Sequence, residues 1–252
     1  MGPRPTLQVA LTRAELRHGV LLVAKTRRPL DEPLGPGLAA VALDEARRAT
    51  VAEAHWLVAA RDPGVVAVRR VEPARASLWT GHAAVATLAN TTPSSPSVAA
   101  ILADVAATAA RLHQRGLIHG AITADHILLV PTPTAPVTGR RRPQASAQRP
   151  GAVRAVLCAP ATGSADPADD VEAVIDLVED WWAGVTHRAA AWELTLAALG
   201  RRPGSTPSRP TMGTVAAVLE RLAARLAGPP GLDERRLAAR AWWAAVVAEL
   251  RA

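Results

Sequence analysis

The sequence predicts an α+β chain of two lobes, a small β-rich lobe over residues 1–81 and a mainly helical lobe over 82–230, with an extra helix over 231–252. Three observations carry this division. Short Val- and Leu-rich runs bounded by Pro, Gly and Asp occupy the first lobe, the pattern of brief strands between turns. Beyond His82 the apolar residues recur at spacings of three and four, as amphipathic helices require. Within this second lobe lies a Pro-, Thr- and Arg-rich insert over 131–151, with no apolar period, which reads as a disordered surface excursion.

The elements follow in order. GVLLVAKTRR, residues 19–28, is a buried strand that emerges into solvent at its basic end, and PLDEPLGPG, residues 29–37, is a turn. LDEARRATVAEAHWLVAA, residues 43–60, is a helix stopped by Asp62-Pro63-Gly64, and VVAVRRVE (65–72) and ASLWTG (76–81) are two strands. SVAAILADVAATAARLHQRG, residues 97–116, is a long helix. Its Ile101, Val105 and Leu112 form a packing face with small alanines, and Gly116 ends it. A tight polar loop leads into the strand HILLV, and VRAVLCA resumes as a strand after the insert. DDVEAVIDLVEDWWAG, AAAWELTLAALG, TMGTVAAVLERLAARLAG and LDERRLAARAWWAAVVAELRA are further helices. In the last, Trp243, Val246, Val247 and Leu250 make one stripe, expected to pack on the helical lobe, with a partner groove as the alternative. Trp181 and Trp182 read as core and lobe-surface packing.

Composition excludes several classes. With 49% apolar residues the 252-residue chain can bury a large core. The net charge of +7 comes mostly from scattered Arg, Tyr and Phe are absent, and no zinc-ligand spacing or long basic block appears, so a nucleic-acid partner is not expected. Arg140, Arg141 and Arg142 read as a solvated loop. The single cysteine, Cys158, sits in an apolar run and reads as a buried structural thiol in a reducing compartment. The N-terminus has no signal-peptide apolar core, Gly2 and Thr6 match a myristoylation pattern only formally, and no apolar run reaches the ~18 residues of a membrane helix. A cytoplasmic protein without a membrane partner is the expectation.

A strand lysine, a following helix glutamate and a helical lobe opened by LHQRGLIHGAITADHILL together resemble the eukaryotic-type serine/threonine protein kinase fold, over roughly residues 6–227. GLIHGAITADHILL resembles the catalytic loop H-R-D-L-K-P-x-N-I-L-L. DDVEAVIDLVEDWWAG resembles the helix that begins with Asp after the activation segment, SRPTMGTVAAVLERL the closing R-P-T/S segment and last helix, and VAEAHWLVAARDPGVVAV the regulatory helix and its exit. The resemblance gives Lys25 the role of the lysine that grips the α- and β-phosphates, and Glu53 that of its ion-pair partner. Taken singly, Lys25 is equally a strand-end surface lysine and Glu53 an ordinary helix charge.

The departures from the family pattern fall on its chemistry. His119 matches, but Ala121 stands at the aspartate position, Thr123 at the lysine position and His126 at the metal-binding asparagine position. Cys158, Ala159 and Pro160 stand where D-F-G belongs, and TLQVALTRAELRHG, where the phosphate-covering loop should lie, offers only Gly19. About ten residues separate Pro160 from Asp170, no A-P-E occurs, and Arg209 lacks the glutamate it would pair. Asp170 matches the helix-start aspartate that ties down the catalytic-loop backbone.

The resemblance therefore implies a degenerate bacterial pseudokinase: a regulatory or scaffolding module for a protein partner. Its residual nucleotide site, Lys25 and Glu53, would bind ATP or ADP weakly without Mg, with no catalytic residue and no metal ligand. The alternative is an atypical serine/threonine kinase in which displaced acids, Asp125, Asp166 or Asp169, hold metal, although the last two are equally loop and helix-cap residues. A small-molecule phosphotransferase, prompted by His119-Gly120, ranks last because Ala121 removes its acid too. Leu22 and Trp79 are candidates to fill the adenine space.

Overall fold

The computed structural model describes residues 7–17, 20–29, 36–82, 86–91, 95–131, 153–161, 165–183, 199 and 210–227. The bulk of the insert, most of the helix expected at 189–200, Gly19, Arg209, the side chain of Trp182 and the C-terminal stripe with Trp243 lie outside these residues.

A first sheet is antiparallel in the order β1-β2-β4-β3, built from β1 (Leu7–Arg17), β2 (Val20–Pro29), β3 (Ala67–Glu72) and β4 (Ser77–His82). Between β2 and β3 runs α1 (Pro36–Ala60). It begins earlier than the sequence suggests: Pro36 and Gly37, expected at the end of a turn, are its first residues. Proline fits there because the first helical turn leaves its N–H unused. The segment expected to form a covering loop is the strand β1 instead. Its apolar alternation, Leu7, Val9 and Leu11, changes phase at a bulge between Leu11 and Arg13, then resumes at Ala14 and Leu16.

A second sheet of three strands, β5 (Ala86–Thr87), β6 (Ile127–Pro131) and β7 (Val153–Leu157), sits beside the helices α2 (Ser95–His113), α3 (Pro167–Ala183) and α4 (Met212–Ala227). One continuous apolar cluster unites both parts, from Leu57 and Leu78 through Ile101, Leu102, Leu112, Ile127, Leu129, Leu157 and Ile175 to Leu219. Ala99, Ala103, Ala106 and Ala109 keep α2 thin, so its neighbours approach closely. No described helix is long and apolar enough to cross a membrane.

The seam between the parts is a backbone and charge junction. Leu157 donates its N–H to the carbonyl of Gly64 at 2.8 Å and accepts from the N–H of Val66 at 3.0 Å. Arg111 of α2 grips Asp62 through Nε at 2.9 Å and Nη2 at 2.8 Å, a fork that holds this carboxyl below the usual range against the opposing effect of burial. Gly64 lies under Thr108, where an added Cβ would meet the side chain at 2.1–2.9 Å. Gly64→Ala should therefore lower the unfolding free energy by about 2 kcal/mol in a denaturant titration. Gly116→Ala, whose Cβ meets nothing within 4 Å and whose only penalty is φ +71°, should cost about 1 kcal/mol.

Candidate functional site

Two groups of side chains meet where α1 faces the loop between α2 and β6. Lys25 and Arg27 are alternate residues of β2 and so share one face. Both reach Glu53, buried on the inner side of α1: Lys25 Nζ lies 2.9 Å from Oε1 and 3.2 Å from Oε2, and Arg27 Nη2 lies 2.5 Å from Oε2. Arg27 Nη1 donates to Thr50 Oγ1 at 3.2 Å, and that hydroxyl sits 2.8 Å from the carbonyl of Ala46. Two cations thus face one carboxylate, and the group carries one net positive charge. Sequence reasoning misses Arg27, although its two-residue spacing from Lys25 on a strand is an available signal.

The second group is organised by Asp170 in the first turn of α3, 1% exposed. Its Oδ2 accepts from the N–H of His119 at 2.9 Å and lies 2.8 Å from His113 Nε2, while Oδ1 accepts from the N–H of Gly120 at 2.7 Å. The loop backbone is thereby fixed to both helices. His119 is fully buried. Its Nε2 donates to the Cys158 carbonyl at 3.1 Å, which leaves Nδ1 to accept from the N–H of Ala121 at 3.3 Å. This network assigns a neutral imidazole, and burial pushes its pKa down to about 4, partly opposed by Asp170. Trp56 of α1 meets the His119 ring edge to face at 5.6 Å between centroids and donates Nε1–H to the Ile118 carbonyl at 2.9 Å. Trp56 is a second residue the sequence does not single out, and its signal is the three-residue step from Glu53 on the same helix.

The positions that depart from the family pattern have local partners. His126 donates Nδ1–H to the Ala121 carbonyl at 2.7 Å. Cys158 donates its N–H to the His126 carbonyl, and its thiol is pushed up to about 11, chiefly by burial, with Lys25 opposing. That thiol is neutral at physiological pH and supplies no hard anionic ligand. Ala159 adopts φ +57° and Pro160 is buried. Thr123 and Asp125 are exposed. Asp166 and Asp169 cap α3 reciprocally, Asp166 Oδ1 accepting from the N–H of Ala168 at 2.8 Å and Asp169 Oδ2 from the N–H of Asp166 at 3.0 Å. Among the described residues no three His, Cys, Asp or Glu side chains converge as a metal site. The donors present do not fit Mg²⁺, which takes oxygen ligands in octahedral geometry. Leu22 and Trp79 are partly buried.

The chain after β7 lies on the loop. Ala161 donates its N–H to the His119 carbonyl at 2.8 Å, and a Cβ placed on Gly120, at φ +68°, would stand 2.6 Å from Ala165 Cβ and 3.0 Å from Ala161 Cβ.

His119 also links this site to acid stability. Its folded pKa lies below the ordinary 6.5, so the unfolded chain binds the proton more readily and the stabilising effect of the neutral ring is complete only above that value. Unfolding free energy should fall by about 3 kcal/mol as pH drops from 6.5 to 4. Denaturant titrations of His119→Gln over the same range should lack that component.

No protein-family model and no curated protein matches the chain. Among solved structures it is similar to the PknI kinase domain of Mycobacterium tuberculosis, solved as a point mutant, at 17% identity over 89% of this chain and 99% of that one, with a TM-score of 0.46. It is also similar to the Rio2 kinase of Chaetomium thermophilum, solved as an ADP/Mg²⁺-phosphoaspartate complex, at 13% identity over 96% of this chain and 71% of that one, with a TM-score of 0.44. A four-stranded sheet, a helix whose glutamate reaches the strand lysine, and a helical part whose first loop is tied to a helix-start aspartate give an α+β fold arranged as the sequence resemblance implies.

Proposed function

We propose that the chain is a catalytically inactive kinase-like module, a pseudokinase, that regulates or scaffolds a protein partner and keeps a weak, metal-independent grip on nucleotide phosphate. The observation that carries this reading is the charge balance around Lys25. An active phosphotransfer site sets its lysine against metal-binding acids, so that dications neutralise the triphosphate and the lysine adds to them. Here the neighbouring position holds the neutral Cys158 thiol, His126 is committed to the Ala121 carbonyl, and no acid stands at Ala121. Arg27 meanwhile supplies Glu53 with a second cation. Lys25, at 14% side-chain exposure, can therefore turn to an anion without leaving Glu53 buried and uncompensated.

The atypical-kinase reading needs displaced acids. Against it, Asp166 and Asp169 are occupied in capping α3, and Asp125 is exposed.

A thermal-shift experiment with ADP at millimolar concentration tests the nucleotide half. The midpoint should rise by about 2–4 °C, equally with Mg²⁺ and with chelator, and Lys25→Ala should abolish the rise while still folding around Arg27 and Glu53. A rise that appears only with Mg²⁺ or Mn²⁺ would count against this reading. Radiolabelled phosphotransfer should detect no turnover. Turnover abolished by Lys25→Ala and reduced by Asp125→Asn would establish the enzyme instead.

A further inference from the structure

Among the described residues, the large apolar side chains left exposed are Val41, Leu43 and Val58, at 53%, 38% and 48%, and all three lie on α1. The inner face of this helix is buried through Ala42, Ala46, Thr50, Glu53, Ala54 and Leu57. On the outer side, Val41, Asp44, Arg48, Val51, His55 and Val58 follow one another at alternating steps of three and four, the 3.5-residue repeat of a helix–helix seam. Arg48, Val51, Ala52 and His55, at i, i+3, i+4 and i+7, together with Arg47 line a shallow depression of about 370 Å³. Four residues so spaced form the hole that a side chain of a facing helix enters.

The seam reads alike from either end. When a second α1 is laid antiparallel about an axis between Ala49 and Thr50, Val41 faces Val58, Asp44 faces His55, Arg48 faces Val51 and Ala40 faces Ala59. A two-fold interface demands this self-complementarity, since each residue must accept its counterpart in both directions. The charges conform as well. Each Asp44 carboxylate would meet an imidazole rather than another carboxylate. Arg48 is drawn 2.6 Å from Asp44 of its own helix, away from the axis, and Arg47 donates sideways to the Ala74 carbonyl at 3.2 Å, so the two copies do not press guanidinium groups together.

We propose that the outer face of α1 is a self-association surface, on which a second copy of this chain docks antiparallel along the seam from Val41 to Val58. One helix pair makes a small interface, so the dimer is weak and concentration-dependent. Glu53 and Trp56 lie on the other side of the same helix, so the dimer braces the element that carries the ion pair. The proposal does not depend on whether nucleotide binds.

Sedimentation equilibrium of the full chain tests it. Wild type should be monomeric at about 5 µM and show a growing dimer fraction by about 500 µM, the regime of a small contact. Val51→Arg, which sets two guanidinium groups opposite each other, should remove the dimer, and His55→Glu, which sets two carboxylates opposite each other, should weaken association by at least about tenfold. Asp44→Lys combined with His55→Glu should restore it, because the opposed charges are complementary again. Thermal midpoints of all variants should match wild type at low concentration, which separates interface from folding. A monomer at every concentration, a dimer indifferent to Val51→Arg, or a double variant no better than His55→Glu would each overturn the proposal, including the case in which the seam binds only a different protein.

Discussion

The site depends on one buried carboxylate. Asp170 receives the N–H groups of His119 and Gly120 and lies within hydrogen-bond distance of His113, so the end of α2, the loop after it and the start of α3 form one unit. A neutral side chain could not serve this role as well. Hydrogen bonds to an ionised oxygen are stronger, and the first turn of a helix favours negative charge. The two aspartates just before it cap the same helix, so three acids within five residues all serve architecture.

Around that unit the titratable groups are held in uncharged or compensated states. The His119 ring is neutral and both its nitrogens are occupied; the Cys158 thiol is neutral; Glu53 is enclosed by two cations. Trp56 fastens the helix that bears Glu53 to the loop through the His119 ring and the Ile118 carbonyl. Each of these groups is buried or partly buried and either neutral or paired, so each acts as a joint between the elements that it touches.

Much of this is legible in the sequence, and the misses have physical causes. Long periodic segments such as α2 and α4 announce themselves because their apolar stripes run for several turns. β1 is hidden because a bulge reverses its alternation, and β5 because two residues are too few to show any period. The start of α1 is obscured by Pro and Gly, which mark turns and first helical turns alike. In the site, Lys25, Glu53, His119 and Asp170 can be placed by motif spacing. Arg27 and Trp56 cannot, since their roles come from which faces of β2 and α1 the tertiary packing turns inward.

The glycine at position 120 is constrained twice over: its φ of +68° disfavours any side chain, and Ala161 and Ala165 stand where a Cβ would go. A larger residue there would displace the chain after β7 and pull on the hydrogen bond from Ala161 to His119, so the loop and the segment downstream of it can change only together.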